Sequence, residues 1–309
     1  MCGLNEMCDV KNENSSAKIG FIGAGKICRT LAHNLNSAGF NIHGVHSLKE
    51  SSSQNICKLI SDECKAYQTP QELADSCDLI FITTPDDSIQ TVTESITWRG
   101  DMGVVHCSGA GTSFWLDKAR SDGASVASYH PLQTFSDNNS DITLKNVCFA
   151  IEGDLSLTEY LKNVTDKLGG FSISIATEHK LLYHVSAFMA CGLVATIIGK
   201  AVDIWKSIGY SEKQALDVLT PLIERTIHNI SQNGVSNSLT GPISRGDIGT
   251  IKGHIDSLKK YNPSLLSTYC QLSLENISIE LERKTDEPLQ EIELLLKSTI
   301  TALSEGSVV

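Results

Sequence analysis

AKIGFIGAGKICRTLAHNL, Ala17 to Leu35, is the stretch on which the fold turns. Ile19 to Ile22 make a short apolar run of strand length. Gly23-Ala24-Gly25 follow, and then Ile27, Leu31 and Leu35 recur at helical spacing on one side of an amphipathic helix. Gly23 permits a tight turn, Gly25 lets a phosphate approach the backbone, and the helix start supplies N–H groups and a favourable dipole. A strand, a Gly-x-Gly turn and a helix in this order predict a dinucleotide cradle built from Gly23, Ala24, Gly25, Lys26 and Ile27. Its third position is Cys28, a residue small enough to keep helix and strand close.

Working outward, Asn41–His46, Asp78–Thr83 and Val104–His106 read as further strands, with a helix over Thr69–Ser76. Val147–Ile151 and Phe171–Ala176 are β-rich and flank a helix over Leu155–Leu168. Alternating strands and helices predict an α/β fold, a doubly wound Rossmann-type sheet with its ligand across the C-terminal edge. The second strand ends in His46-Ser47-Leu48-Lys49 with no acidic residue before Glu50. Ser47 and Lys49 therefore suit a 2′-phosphate, and NADP(H) is expected over NAD(H). Thr84-Pro85 is expected beside the nicotinamide ribose, with Asp86 or Asp87 as an N-cap. Ser108 and Gly109 in HCSGAGTSFW, and His130 in SYHPLQTF, end two more strands on the same edge.

After Thr177 the strand signal stops and an all-α domain is expected. The organisation read here is a polar leader over 1–16, a dinucleotide domain over 17–176 and a helical substrate and dimerisation domain over 177–309. Glu178–Gly209 is apolar nearly all round, which predicts a helix buried on most sides. Gly192, Gly199, Lys200 and Asp203 punctuate it against a membrane span. Its small residues, such as Ser186, Ala190 and Ala195, suit close approach of a helix from a second copy, hence a homodimer. Ser211 and Gln214 form a capping box for a helix reaching about Gln232 with Pro221 inside. Further helices are expected over Ile248–Tyr261, Ser264–Arg283 and Pro288–Ser304. Lys180 and His184 share a face with Tyr183 beside it. In LTGPISRGDIGTIKGH, Leu239 to His254, a rigid turn precedes Arg245, Asp247 and His254.

Composition narrows the function classes. The net charge is −11 and no basic run exceeds Lys259-Lys260, which argues against nucleic acid and anionic membranes. The ten cysteines form no C-x-x-C pair, so no metal knuckle is expected, and a cytoplasmic protein with reduced thiols is.

The motifs IGFIGAGKI, TTPDDSI, HCSG, HPLQTF, FAIEG, LYH and LTGPISRGD with His254 together resemble a family of two-part Rossmann-like bacterial oxidoreductases. Its C-terminal half is a domain of unknown function, and its relatives within the phosphogluconate dehydrogenase-like group are ketopantoate and pyrroline-carboxylate reductases. The resemblance implies nicotinamide-dependent reduction of a small 2-oxo acid. Reduction of a cyclic imine is the alternative within the class, and a non-catalytic NADP(H) sensor or assembly subunit the alternative outside it. Cys28 and Gly192, where such proteins more often have asparagine, depart from the pattern. Hydride delivery to a carbonyl leaves an alkoxide, which needs a proton donor. His184 and Lys180 are the candidates, with His130 as another acid. Arg245 suits a carboxylate clamp because its planar fork binds two oxygens. Asp247 would then orient Arg245 or His254, and Ser108 and Gly109 would line the substrate side.

Overall fold

The computed structural model describes residues 17–135, 143–281 and 287–306; the leader expected over 1–16 lies outside them. The chain divides into two compact units between Cys191 and Gly192.

The first unit is built on one eight-stranded sheet. Its strands are β1 (Lys18–Ile22), β2 (Asn41–His46), β3 (Lys65–Tyr67), β4 (Leu79–Ile82), β5 (Gly103–His106), β6 (Ser125–Pro131), β7 (Cys148–Gly153) and β8 (Phe171–Ser174). Their order is β3-β2-β1-β4-β5-β6-β7-β8. Every pairing is parallel except β6 with β7. The first six strands have the doubly wound order with its switch point between β1 and β4. Continuous apolar runs such as LIFI in β4 suit strands covered on both faces. On one face Phe21, Phe81, Tyr129 and Phe149 form a row of rings, with centroids 5.2 Å apart for Phe21–Phe81 and 4.6 Å for Tyr129–Phe149. On the other, Ile80, Ile82, Val104 and Val126 pack with Leu73 and Trp98.

The helices of this unit are α1 (Lys26–Ser37), α2 (Glu50–Ile60), α3 (Pro70–Ser76), α4 (Ile89–Glu94), α5 (Asp117–Ser121), α6 (Leu155–Lys167) and α7 (Lys180–Phe188). β3 was not expected: KAY is three residues long and has no apolar run. The N-cap expected of Asp86 or Asp87 is absent, because Pro85 takes that position at a 3-10 turn and caps nothing with its side chain. The last strand ends at Ser174, yet this unit continues through α7 to Cys191, beyond the boundary expected at Ala176. Side chains of α7 bond to β6, which explains why the helix stays with the sheet.

The second unit contains α8 (Val194–Ser207), α9 (Glu212–Asn233), α10 (Ile248–Tyr261), α11 (Leu266–Leu281) and α12 (Glu287–Ser304). Its core joins Ile251 and Ile255 of α10, Leu266 and Ile277 of α11, and Ile292 and Leu296 of α12. The Ser211–Gln214 capping box starts α9, and Pro221 lies inside that helix, as expected.

One expectation about the apolar stretch is overturned. It is not buried on most sides: Leu181 is 64% and Leu182 69% exposed, and Phe188, Met189, Ile197 and Ile208 are exposed too. By length and composition alone, Thr177–Ser207 contains an 18-residue window, of mean hydropathy 1.9, apolar enough to cross a membrane, while Gly192, Gly199, Lys200 and Asp203 punctuate the helix as expected. Within it, Met189–Leu193 is a π-helical turn that contains Gly192.

Candidate active site

The cradle after β1 has the required backbone. Gly23 has φ +104°, and a Cβ there would lie 2.8 Å from the Thr83 carbonyl and the Thr84 nitrogen. Only glycine fits both demands. Gly23 N–H donates to the His46 carbonyl (2.8 Å), tying the turn to β2. Gly25 is the N-cap of α1 and offers no side chain to cap it, while a Cβ there would meet only open space and one oxygen 4.0 Å away. Cys28 is fully buried in the layer beneath, where burial pushes its thiol well above the usual range. It fills the packing role of the missing third glycine.

Around the cradle, Thr83 Oγ1 donates to the Gly23 carbonyl (2.8 Å), and the buried Thr84 Oγ1 has no partner among the described residues. An orphaned buried hydroxyl beside an uncapped helix start is what a polar ligand would satisfy. At the end of β2, His46 Nδ1–H donates to the Tyr67 carbonyl (3.1 Å) and Ser47 Oγ to the Lys49 carbonyl (2.7 Å). Lys49 is the exposed N-cap of α2. These residues fit a nicotinamide dinucleotide carrying a 2′-phosphate.

The ends of β4, β5 and β6 are cross-linked by side chains. Ser108 Oγ donates to Asp86 Oδ2 (2.6 Å) and accepts from Gly111 N–H (2.8 Å). His106 Nε2–H donates to the Thr112 carbonyl (2.9 Å), so its Nδ1 is the acceptor of Ser108 N–H (3.2 Å). Burial holds this neutral imidazole down at about 4.

α7 lies along β6. Lys180 is fully buried, and its ammonium donates to Ser128 Oγ (2.6 Å), which in turn donates to the Ser108 carbonyl (3.4 Å). One helical turn later, Tyr183 Oη and His130 Nδ1 are hydrogen-bonded at 2.8 Å. The His130 and His184 rings stand edge to face, 6.0 Å apart, over Gly109. Burial first, and then the Lys180 charge, lower His130 to about 4; burial lowers Lys180 to about 8. His184 Nδ1 is buried without a partner among the described residues. Thus His130, Lys180, His184, Ser108 and Gly109 are brought together.

Glu152 was missed. Its buried carboxylate accepts from Ser113 N–H, Ser113 Oγ and Thr177 Oγ1, each at 2.8 Å, and so fastens the start of α7 to β7. Only the pairing of Ser128 with Glu152 reveals it, and that pairing is a product of tertiary structure. Asp86 and Ser128 were missed for the same reason.

Arg245, Asp247 and His254 belong to the second unit. Asp247 orients neither of the other two: it caps α10, accepting from Thr250 N–H (3.0 Å) and Thr250 Oγ1 (2.6 Å). Arg245 donates to the Thr240 carbonyl (2.9 Å), and His254 Nδ1 bonds to Tyr269 Oη (2.9 Å).

Residues 18–108 match the family described as NADP oxidoreductase, coenzyme F420-dependent, and residues 147–276 match a domain of unknown function, DUF2520. Each match covers less than half of the chain, and the two fall on successive parts of it.

The first match holds the cradle, while the second begins at Val147 and takes in β7, α6, β8 and α7. A curated relative, pyrroline-5-carboxylate reductase 3 of Bos taurus, is 29% identical over 79 residues, a quarter of this chain and a quarter of that protein. A Bacteroides fragilis protein assigned as an NADP oxidoreductase shares the fold at TM-score 0.66 and 22% identity, over 92% of this chain and 98% of the other. A Thermotoga maritima protein does so at 0.63 and 24%, over 93% and 99%. Plasmodium falciparum pyrroline carboxylate reductase, with NADP bound, does so at 0.59 and 14%, over 94% and 99%.

Proposed function

We propose that this protein is an NADP(H)-dependent reductase of a small 2-oxo acid, with Lys180 as the proton donor. The supporting observation is the Lys180 ammonium, buried and held on Ser128 at 2.6 Å beside the strand ends that carry Ser108, Gly109 and His130. Gly23, Ala24, Gly25, Lys26 and Ile27 hold the pyrophosphate, Ser47 and Lys49 the 2′-phosphate, and Thr84 and Pro85 the nicotinamide side. NADPH, when bound, supplies the hydride. An ammonium with its proton affinity lowered to about 8 is charged at neutral pH yet gives up a proton readily, which suits protonation of a nascent alkoxide. Neutral His130, locked to Tyr183, shapes the pocket instead of supplying the proton, and His184 Nδ1 is available to a substrate oxygen. In the second unit, Arg245 is exposed with one of its donors on the Thr240 carbonyl.

Cyclic-imine reduction is the second reading, and it is favoured by the likeness to pyrroline-carboxylate reductases. An imine substrate arrives protonated, so Lys180 would matter little. The purified protein with NADPH and a panel of 2-oxo acids and cyclic imines, followed at the nicotinamide absorbance band, separates the two. Binding of NADPH without turnover of any member would favour the sensor reading.

We also infer a cytoplasmic homodimer. Ile197, Ile204 and Ile208 lie at helical spacings of seven and eleven, forming one exposed apolar stripe along α8 and its C-cap that a second copy would cover.

A further inference from the structure

Cys57 and Cys64 are both buried and free, and Cys64 Sγ donates to Cys57 Sγ at 3.1 Å. A disulfide bond is ~2.05 Å long, so the two sulfurs need to close by about 1 Å. The backbone already makes the required turn. Cys57 lies in the last turn of α2, Ser61 N–H donates to the Cys57 carbonyl (3.1 Å), and Cys64 N–H donates to the Ser61 carbonyl (3.2 Å). Cys77 and Cys107 behave differently: burial pushes each of their thiols up to about 12. At Cys57 the hydrogen bond from Cys64 lowers the thiol instead, which marks it as the attacking sulfur.

We propose that Cys57 and Cys64 are a redox-active dithiol that a peroxide converts into an intramolecular disulfide. The Cys57 thiolate attacks one peroxide oxygen, forming a sulfenic acid and releasing one water once the leaving oxygen is protonated. The Cys64 sulfur then attacks the sulfenic sulfur, a second water leaves, and two electrons have passed from the thiols to the peroxide. α2 opens at Lys49, so this bond pins the far end of the helix that begins at the 2′-phosphate turn. The inference is independent of the reductase reading and needs no substrate.

The test is hydrogen peroxide on the folded full chain, alkylation of residual thiols, and tryptic digestion without reductant. Cleavage after Lys49, Lys58 and Lys65 puts the two cysteines in separate peptides, 50–58 and 59–65. The expected product is these two joined, two hydrogens lighter than the free pair. A Cys64→Ser chain should lose the joined product and accumulate a dimedone-reactive sulfenic acid at Cys57. Recovery of both peptides alkylated, or of Cys57 joined mainly to another cysteine, would overturn the proposal. So would joining that is no faster in the folded chain than in urea.

Discussion

The Gly109 Cα and the His184 imidazole are packed so tightly that a single added methyl would sit 2.5 Å from Nδ1, and 2.9 Å from His130 on its other side. Gly109→Ala must therefore displace one or both rings. A destabilisation of about 1–3 kcal/mol is expected from the overpacking, read as a lower urea midpoint. Turnover should fall further than stability accounts for, while NADPH affinity stays near wild type.

Lys180→Met keeps the length of the side chain and removes the proton. On a 2-oxo acid substrate it should lower kcat by about a hundredfold or more. Wild-type kcat/KM should fall as pH rises through about 8, where the ammonium is lost, and the variant should lack that limb. Unchanged turnover of the same substrate by Lys180→Met would remove the lysine from the chemistry.

His106 and His130 are both held near 4 by burial, against an ordinary value of 6.5. Between those values the unfolded chain takes up protons that the folded chain does not. Stability is therefore complete above about pH 6.5 and falls as pH drops towards 4, by at most about 3 kcal/mol per histidine. Urea midpoints at pH 7, 5.5 and 4.5 measure the slope, which His106→Gln should flatten while keeping a donor for the Thr112 carbonyl.

Lys49, assigned above to the proposed 2′-phosphate site, is exposed, so Lys49→Ala should fold normally. It should weaken NADPH about tenfold, the scale of one charge-assisted contact, and leave NADH nearly unchanged. Equal losses for both cofactors by titration calorimetry would move the phosphate site elsewhere.

Ile204→Glu places a charge in the α8 stripe. Light scattering should report a monomer, with the far-UV spectrum unchanged. A dimer that persists would mean that this stripe is covered in another way.

The sheet could be read from sequence because its determinants are local. Runs such as Leu79–Ile82 are apolar without interruption, and Gly23 marks its own turn. α10 was expected over Ile248–Tyr261 and is found there, since Asp247 and Asn262-Pro263 punctuate it. The site's support could not be read in this way. Asp86 looked like a cap because its partner, Ser108, is 22 residues away, and Glu152 looked like an ordinary strand end. The exposure of Leu181 and Leu182 was hidden for the opposite reason: apolar composition reports a demand for burial and does not say which chain meets it.

The bonds Lys180–Ser128 and Tyr183–His130 join positions three apart on a helix to positions two apart on a strand. At ~1.5 Å per helical residue and ~3.3 Å per strand residue, the spans are about 4.5 Å and 6.6 Å, and the long side chains absorb the difference. α7 is thereby gauged against β6 at two points. Removing one residue between Thr177 and Lys180 would turn the helix by about 100° and present Leu181 to Ser128 and His184 to His130. The proposed chemistry is in that sense a matter of counting: the identities of four side chains do nothing unless helix and strand are in step.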